Sequence, residues 1–145
     1  MNKIQILLAD DDEDDRFFFQ EALSKANIPA ELTTVENGNE LIGMLSKIQT
    51  LPPPHIIFLD INMPLKNGKD CLKEIRKERR FDGIPVIIIS TSSHPRDINE
   101  TFEYGATKYI NKTTFFTDDV KSINDILATD WEAALKTPSR ENFLF

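Results

Sequence analysis

Five side chains have types and positions that could do chemistry together: Asp10, Asp11, Asp60, Ser90 and Lys112. Each stands at or just past the end of a short apolar run. Converging carboxylates repel one another unless a cation sits among them. Oxygen donors without His or Cys select a hard ion, and Mg2+ favours one or two carboxylates with waters and a substrate phosphate. A lysine ammonium suits a phosphoryl oxygen, and a serine hydroxyl can donate to another. A carboxylate can itself take up a phosphoryl group while a cation and a lysine stabilise the charge in transit. None of the five is specific alone. Asp60, in HIIFLDINMP (His55–Pro64), would in isolation be a strand-ending residue that caps the next turn.

The elements that must position them follow from hydrophobic patterning. Ile4–Ala9, His55–Asp60 and Pro85–Ile89 have unbroken apolar runs, as strands buried on both faces do. Glu31–Val35 is a weaker, partly exposed strand, and a short one surrounds Lys108–Ile110. Between them lie helical spacings. Phe18, Phe19, Ala22, Leu23 and Ala26 share one face, with Arg16, Gln20, Glu21 and Lys25 away from it, until Ile28-Pro29 stops the helix. After a turn at Asn37-Gly38-Asn39, Leu41, Ile42, Met44, Leu45 and Ile48 give a second helix, and Thr50–Pro54 a stiff connector. Past a loop at Asn62, Pro64, Asn67 and Gly68, a third helix carries Cys71, Leu72 and Ile75 inward. Its row of Lys69, Lys73, Arg76, Lys77, Arg79 and Arg80 is expected to be a solvated face. Pro95 opens a fourth helix with Ile98 and Phe102. Asp118 or Asp119 opens the last, with Val120, Ile123, Ile126, Leu127 and Trp131 on its inner face.

Five strands alternating with five helices predict an α/β fold: a doubly wound, five-stranded parallel sheet of order 2-1-3-4-5. All its strands point one way, so the five candidate residues share one rim. Residues 1–130 are expected to form this domain. Residues 131–145 extend the last helix into a polar tail ending in Phe143-Leu144-Phe145, with no separate output domain. Trp131 and that apolar end either pack on the last helix or mark a docking or self-association surface.

Composition narrows the classes further. At 145 residues, with 40% hydrophobic and 28% charged residues, the chain is an ordinary globular domain. A net charge of −7 argues against a nucleic-acid-binding surface. The single cysteine, Cys71, excludes an internal disulfide and a Cys-based metal site, and fits a reducing compartment. No apolar run is long enough to cross a bilayer, and MNKIQILLADDDEDD turns acidic too early for a signal peptide. A cytoplasmic domain without membrane attachment is expected.

On these residues the chain resembles the receiver domain of two-component response regulators, a flavodoxin-like, chemotaxis-regulator-like fold, over almost all of residues 1–130. The segment PVIIISTSS, the proline-rich stretch before His55 and the short span after the last helix resemble the stand-alone regulators associated with phytochrome-type kinases. The resemblance implies Asp60 as phosphoacceptor. It implies Mg2+ held by Asp10, Asp11, Asp60 and the backbone carbonyl of Asn62, and Lys112 paired with the phosphoryl group. Ser90 would be the switch hydroxyl and Tyr109 the aromatic that turns inward on activation. The donor would be a phosphohistidine on a sensor histidine kinase or a histidine phosphotransfer protein. Output would pass to an unidentified downstream protein, through a homodimer, or onward to a phosphotransfer histidine. Such a chain catalyses its own phosphotransfer and dephosphorylation as a switch and is not otherwise an enzyme. Two positions depart from the family. Thr113 replaces the proline, often cis, that usually follows the lysine. A cis Lys-Thr bond costs about 3 kcal/mol, so a trans bond is expected. Thr91 stands where a small residue is more usual, and narrows access to the phosphoryl site.

Other readings fit less well. Asp10, Asp12, Asp14 and Glu21 fall on calcium-loop spacing, but Asp15 takes the glycine position and a strand precedes the loop. Asp12-Glu13-Asp14 lacks the small residues of an aspartyl-nucleophile phosphatase. An acidic cluster after the first strand would repel a dinucleotide's pyrophosphate. A receiver-shaped interaction module that takes no phosphate is the strongest alternative. His55 and His94 have no nucleophile or base at meaningful spacing and are expected to be structural or exposed.

Overall fold

β3 (Ile56–Leu59) is the centre of a five-stranded parallel sheet. β1 (Ile4–Ala9) and β2 (Ala30–Val35) lie on one side of it, β4 (Val86–Ser90) and β5 (Lys108–Asn111) on the other, in the order 2-1-3-4-5. The computed structural model describes residues 3–47 and 53–145, so Ile48 and most of the Thr50–Pro54 connector lie outside the described residues. Successive strand residues face opposite sides, and here both sides are apolar. Leu7, Ala9, Ile57, Leu59, Val86 and Ile88 point into one core layer, whereas Ile6, Leu8, Ile56, Phe58, Ile87 and Ile89 point into the other.

The first layer is closed by α2 (Gly38–Leu45), α3 (Gly68–Lys77) and α4 (Pro95–Glu103), through Leu41, Leu45, Leu72, Ile75 and Ile98. The second is closed by α1 (Glu13–Ser24), α5 (Lys112–Thr117) and α6 (Asp119–Leu127), through Phe19, Ala22, Leu23, Phe115, Ile123 and Ile126. A further short helix, α7 (Trp131–Lys136), follows.

Several expectations are corrected. Five helices become seven among the described residues: α6 starts after Asp118 as expected, and Asn111 and Asp130 each also accept a backbone N–H and start the additional α5 and α7. Trp131 therefore opens α7 instead of closing the last helix, and its indole N–H donates to the Ile126 carbonyl at 2.9 Å. Asn37-Gly38-Asn39 is a helix start: the Asn37 side chain caps α2 by accepting from the Glu40 N–H. Phe18 is 50% exposed and its neighbour Phe17 59%, since Phe19, Ala22 and Leu23 take the inward stripe of α1. Met44 is likewise at the surface.

The basic row of α3 is not simply solvated. The Arg76 guanidinium folds inward and donates to the carbonyls of Gly105 (2.9 Å), Phe81 (2.8 Å) and Ile84 (2.9 Å). Lys69 bridges to Asp97 and Glu100 of α4 at 2.6 and 2.9 Å. The tail also leaves solvent: Phe143 is buried, and Tyr109 pairs with Leu144 in a parallel bridge along the open side of β5.

Candidate functional site

Strand register fixes the rim. Ala9 pairs with Leu59, so Asp10 and Asp60 emerge side by side, and the Asp60 N–H donates to the Ala9 carbonyl at 3.0 Å. Ser90 pairs with Asn111, which puts Lys112 one residue further along the same edge. Asp10, Asp60, Ser90 and Lys112 are all buried, while Asp11 is exposed. One carboxylate oxygen from each of Asp10, Asp11 and Asp60 lies within 4.8 Å of the others. That oxygen-only set fits a small hard divalent cation.

Lys112 projects its ammonium into this cluster, with Nζ at 3.0 Å from Asp10 Oδ2 and 3.1 Å from Asp60 Oδ2. Its shortest contact is to neither: Asp15 Oδ2 lies at 2.7 Å. Asp60 Oδ1 accepts from the Asn62 N–H at 3.3 Å, and Asp10 Oδ1 from the Asp12 N–H at 2.9 Å. Burial pushes the Asp60 carboxyl up to about 6, with Lys112 opposing and Asp10 reinforcing the rise. Asp10 is raised for the same first reason. Burial works against the charge on Lys112, yet its bond to Asp15 and the charges of Asp60 and Asp10 hold its pKa above the ordinary lysine range. The ammonium is therefore permanently charged, and Asp60 is ionised at neutral pH with little to spare.

The far side of the rim is a hydrogen-bonded loop. Ser90 Oγ accepts from the Ser92 N–H at 3.1 Å, and the Tyr109 hydroxyl donates to the Ser92 carbonyl at 2.8 Å. Tyr109 is turned inward and 1% exposed. Asn111 Nδ2 donates to the Thr91 carbonyl and to Ser93 Oγ, and Ser92 Oγ to Asp97. No cis peptide occurs among the described residues, and the Thr113 N–H, which proline would lack, donates to Asn111 Oδ1 at 2.8 Å. Thr91 is exposed beside Ser90.

Asp10, Asp11, Asp60 and Lys112 thus come together, with Ser90 beside them at the end of β4, but three participants are absent from the sequence reading. Asp15 is on α1, whose first turn swings back over the rim. Arg16 donates to the Asp10 carbonyl at 2.8 Å and reaches Glu36 with its other nitrogen at 3.2 Å. Gly68 packs on the Asp60 backbone. Asp15 is hidden in a run of six acidic residues, with no sequence mark that separates it from its neighbours. Neither histidine reaches the site: His55 Nδ1 accepts from the Gln5 N–H and His94 Nδ1 from the Arg96 N–H.

Residues 6–124 match the family model for the response regulator receiver domain. Response regulator Rcp1 of Synechocystis sp. is 30% identical over 124 residues, covering 83% of this chain and 84% of that protein. Two-component response regulator ORR13 of Oryza sativa subsp. japonica is 31% identical over 126 residues, covering 87% of this chain and all of that protein. Among solved structures, the phosphorylated cyanobacterial phytochrome response regulator RcpA superposes with a TM-score of 0.78 at 30% identity, over 86% of this chain and 91% of that one. The Mn2+-bound form of Rcp1 gives 0.77 at 29% identity, over 88% and 94%. With its parallel sheet, its buried carboxylates and its match over most of its length, the chain belongs to the response regulator receiver domain family.

Proposed function

We propose that the chain is a phosphoacceptor switch that takes a phosphoryl group on Asp60 from a phosphohistidine of a sensor histidine kinase or histidine phosphotransfer protein, acts in the cytoplasm, and then changes its affinity for a partner protein. The observation that carries this reading is the Lys112 ammonium 3.1 Å from Asp60 beside a carboxylate-only cluster. In the reaction an Asp60 oxygen forms the new bond to phosphorus as the bond to the donor imidazole breaks, its electron pair leaving with the nitrogen. Asp60 must be ionised to attack. Lys112 and the Ser90 hydroxyl then donate to the phosphoryl oxygens.

Asp10, Asp11, Asp60 and the Asn62 carbonyl are the groups that would hold Mg2+; the three carboxylates support a cation there, and the Mn2+-bound form of the similar Rcp1 supports a divalent one. When bound there, the ion supplies the charge that offsets the phosphoryl oxygens. Ser90 and Tyr109 are linked through Ser92, so a pull on the Ser90 hydroxyl reaches the Tyr109 hydroxyl. That is the route by which phosphate biases a population of two surface states.

Intact mass after incubation with acetyl phosphate tests this. Wild type is expected to gain one phosphoryl group only with Mg2+, and Asp60→Asn none. If neither acetyl phosphate nor a phosphohistidine donor labels the wild type, the chain is instead a receiver-shaped module that works without phosphate.

A further inference from the structure

We propose that Asp15 is a positioning residue that competes with the phosphoryl group for Lys112, so that its charge limits how long the phosphoryl group stays on Asp60. This rests on the phosphoacceptor reading above. An ammonium has three N–H donors, and three carboxylates surround this one: Asp15 at 2.7 Å, Asp10 at 3.0 Å and Asp60 at 3.1 Å. Phosphorylation turns Asp60 from a carboxylate into a mixed anhydride whose phosphoryl oxygens carry about two negative charges. Asp10 belongs to the cation cluster, whereas Asp15 does not. Asp15 is therefore the carboxylate whose hold on Lys112 neither the cation nor the phosphoryl group removes. It is fixed in the first turn of α1, where its N–H donates to Asp12 Oδ1 at 3.1 Å. Its side chain is only 23% exposed, so water screens the pair weakly.

The competition has two sides. In the phosphorylated chain Asp15 shares the ammonium with the phosphoryl oxygens and repels them. In the unphosphorylated chain it takes a share of the ammonium that Asp10 and Asp60 would otherwise hold between them, so their oxygens keep more charge for the cation. Neutralising Asp15 therefore weakens cation binding and prolongs the acyl phosphate. A residue that served only to start α1 would not move these two quantities in opposite directions.

The test compares wild type, Asp15→Asn and Asp15→Glu. Mg2+ affinity of the unphosphorylated proteins is read by calorimetry, and decay of the acyl phosphate after removal of acetyl phosphate by intact mass. Asp15→Asn is expected to bind Mg2+ about fivefold more weakly and to keep its phosphoryl group about fivefold longer, the scale of one partly screened ion pair. Asp15→Glu, which restores the charge, is expected within about twofold of wild type in both. A labelled wild type whose lifetime and Mg2+ affinity are unmoved in Asp15→Asn, or whose phosphoryl group is lost faster there, overturns the role of Asp15 alone. A wild type that takes no phosphoryl group from acetyl phosphate or a phosphohistidine donor overturns the phosphoacceptor reading and this proposal with it.

Discussion

At the scale of one residue, Asp60 holds a charge that its surroundings resist. Its carboxyl titrates at about 6 in the fold against 3.8 for the free side chain, and burial is the first cause. The native state therefore binds the proton more tightly than the unfolded chain does. The stability tied to this group is complete below about pH 4 and is lost as pH rises through about 6. Asp60→Asn keeps the shape and removes the charge. Without divalent ions at pH 7.5 it is expected to raise stability by on the order of 2 kcal/mol, or roughly 5 °C in Tm. The gain should shrink toward zero as pH approaches 4, and Mg2+ should raise the Tm of wild type more than that of the variant. Thermal melts across that pH range check this; a gain independent of pH would falsify it. A second residue-scale consequence concerns Lys112. Lys112→Ala leaves Asp10, Asp15 and Asp60 facing one another with no cation, so its unfolding is expected to become strongly dependent on Mg2+ and on salt.

At the scale of elements, the third strand and the helix after it are joined by close backbone contact. A Cβ on Gly68 would stand 2.0 Å from the Asp60 carbonyl oxygen and 2.8 Å from Ile61 Cα, both backbone atoms that cannot swing aside. Gly68→Ala is therefore expected to shift the strand end and cost more than about 2 kcal/mol, together with most of the phosphoryl uptake. Gly43, inside α2, offers the matched control, since nothing lies within 4 Å of its Cβ position. Gly43→Ala should be neutral or stabilising by about 0.5 kcal/mol with unchanged uptake. Urea unfolding and intact mass on both variants decide the matter: equal losses would sink the contact argument. The same contrast shows what the amino-acid sequence makes legible. The five strands, their order and the rim residues were readable because unbroken apolar runs and right-handed crossovers leave few arrangements. Phe18 reads as inward in the sequence but lies outward, because one residue is a 100° turn on a helix and the stripe through Phe19 buries more. The helix starts at Asn111 and Asp130 are obscured because acidic and amide residues are common in this chain and only some of them cap, whereas Asp118 is a start that the sequence offers. Arg76 reads as a surface charge in the sequence because its carbonyl partners, at Phe81, Ile84 and Gly105, are assembled by the fold and carry no sequence mark.

At the scale of the whole molecule, the end of the chain is built into the sheet. The Tyr109 N–H donates to the Phe143 carbonyl at 3.0 Å and the Phe145 N–H to the Tyr109 carbonyl at 2.9 Å, so the tail satisfies the open edge of β5. Arg140 reaches Asn99 of α4 at 3.0 Å, and the Phe143 ring packs on Phe102 at 5.2 Å and Tyr109 at 6.1 Å between centroids. Tyr109 is thus held at its hydroxyl by the loop beside Ser90 and along its backbone and ring by the tail. Phe143, 1% exposed, carries that hold, whereas Leu144 at 53% contributes little side-chain burial. Phe143→Ala is expected to destabilise the fold by about 3 kcal/mol, and Leu144→Ala by less than about 0.5 kcal/mol. Position-resolved hydrogen exchange gives the sharper test, because local opening of the tail needs less free energy than global unfolding. In Phe143→Ala the Tyr109 amide should exchange far faster than in wild type, while the Ile57 amide, bonded to the Pro85 carbonyl at 3.0 Å within the sheet, should slow or speed only with global stability. If the Tyr109 amide kept its protection relative to Ile57, the tail would be lying on β5 without closing it.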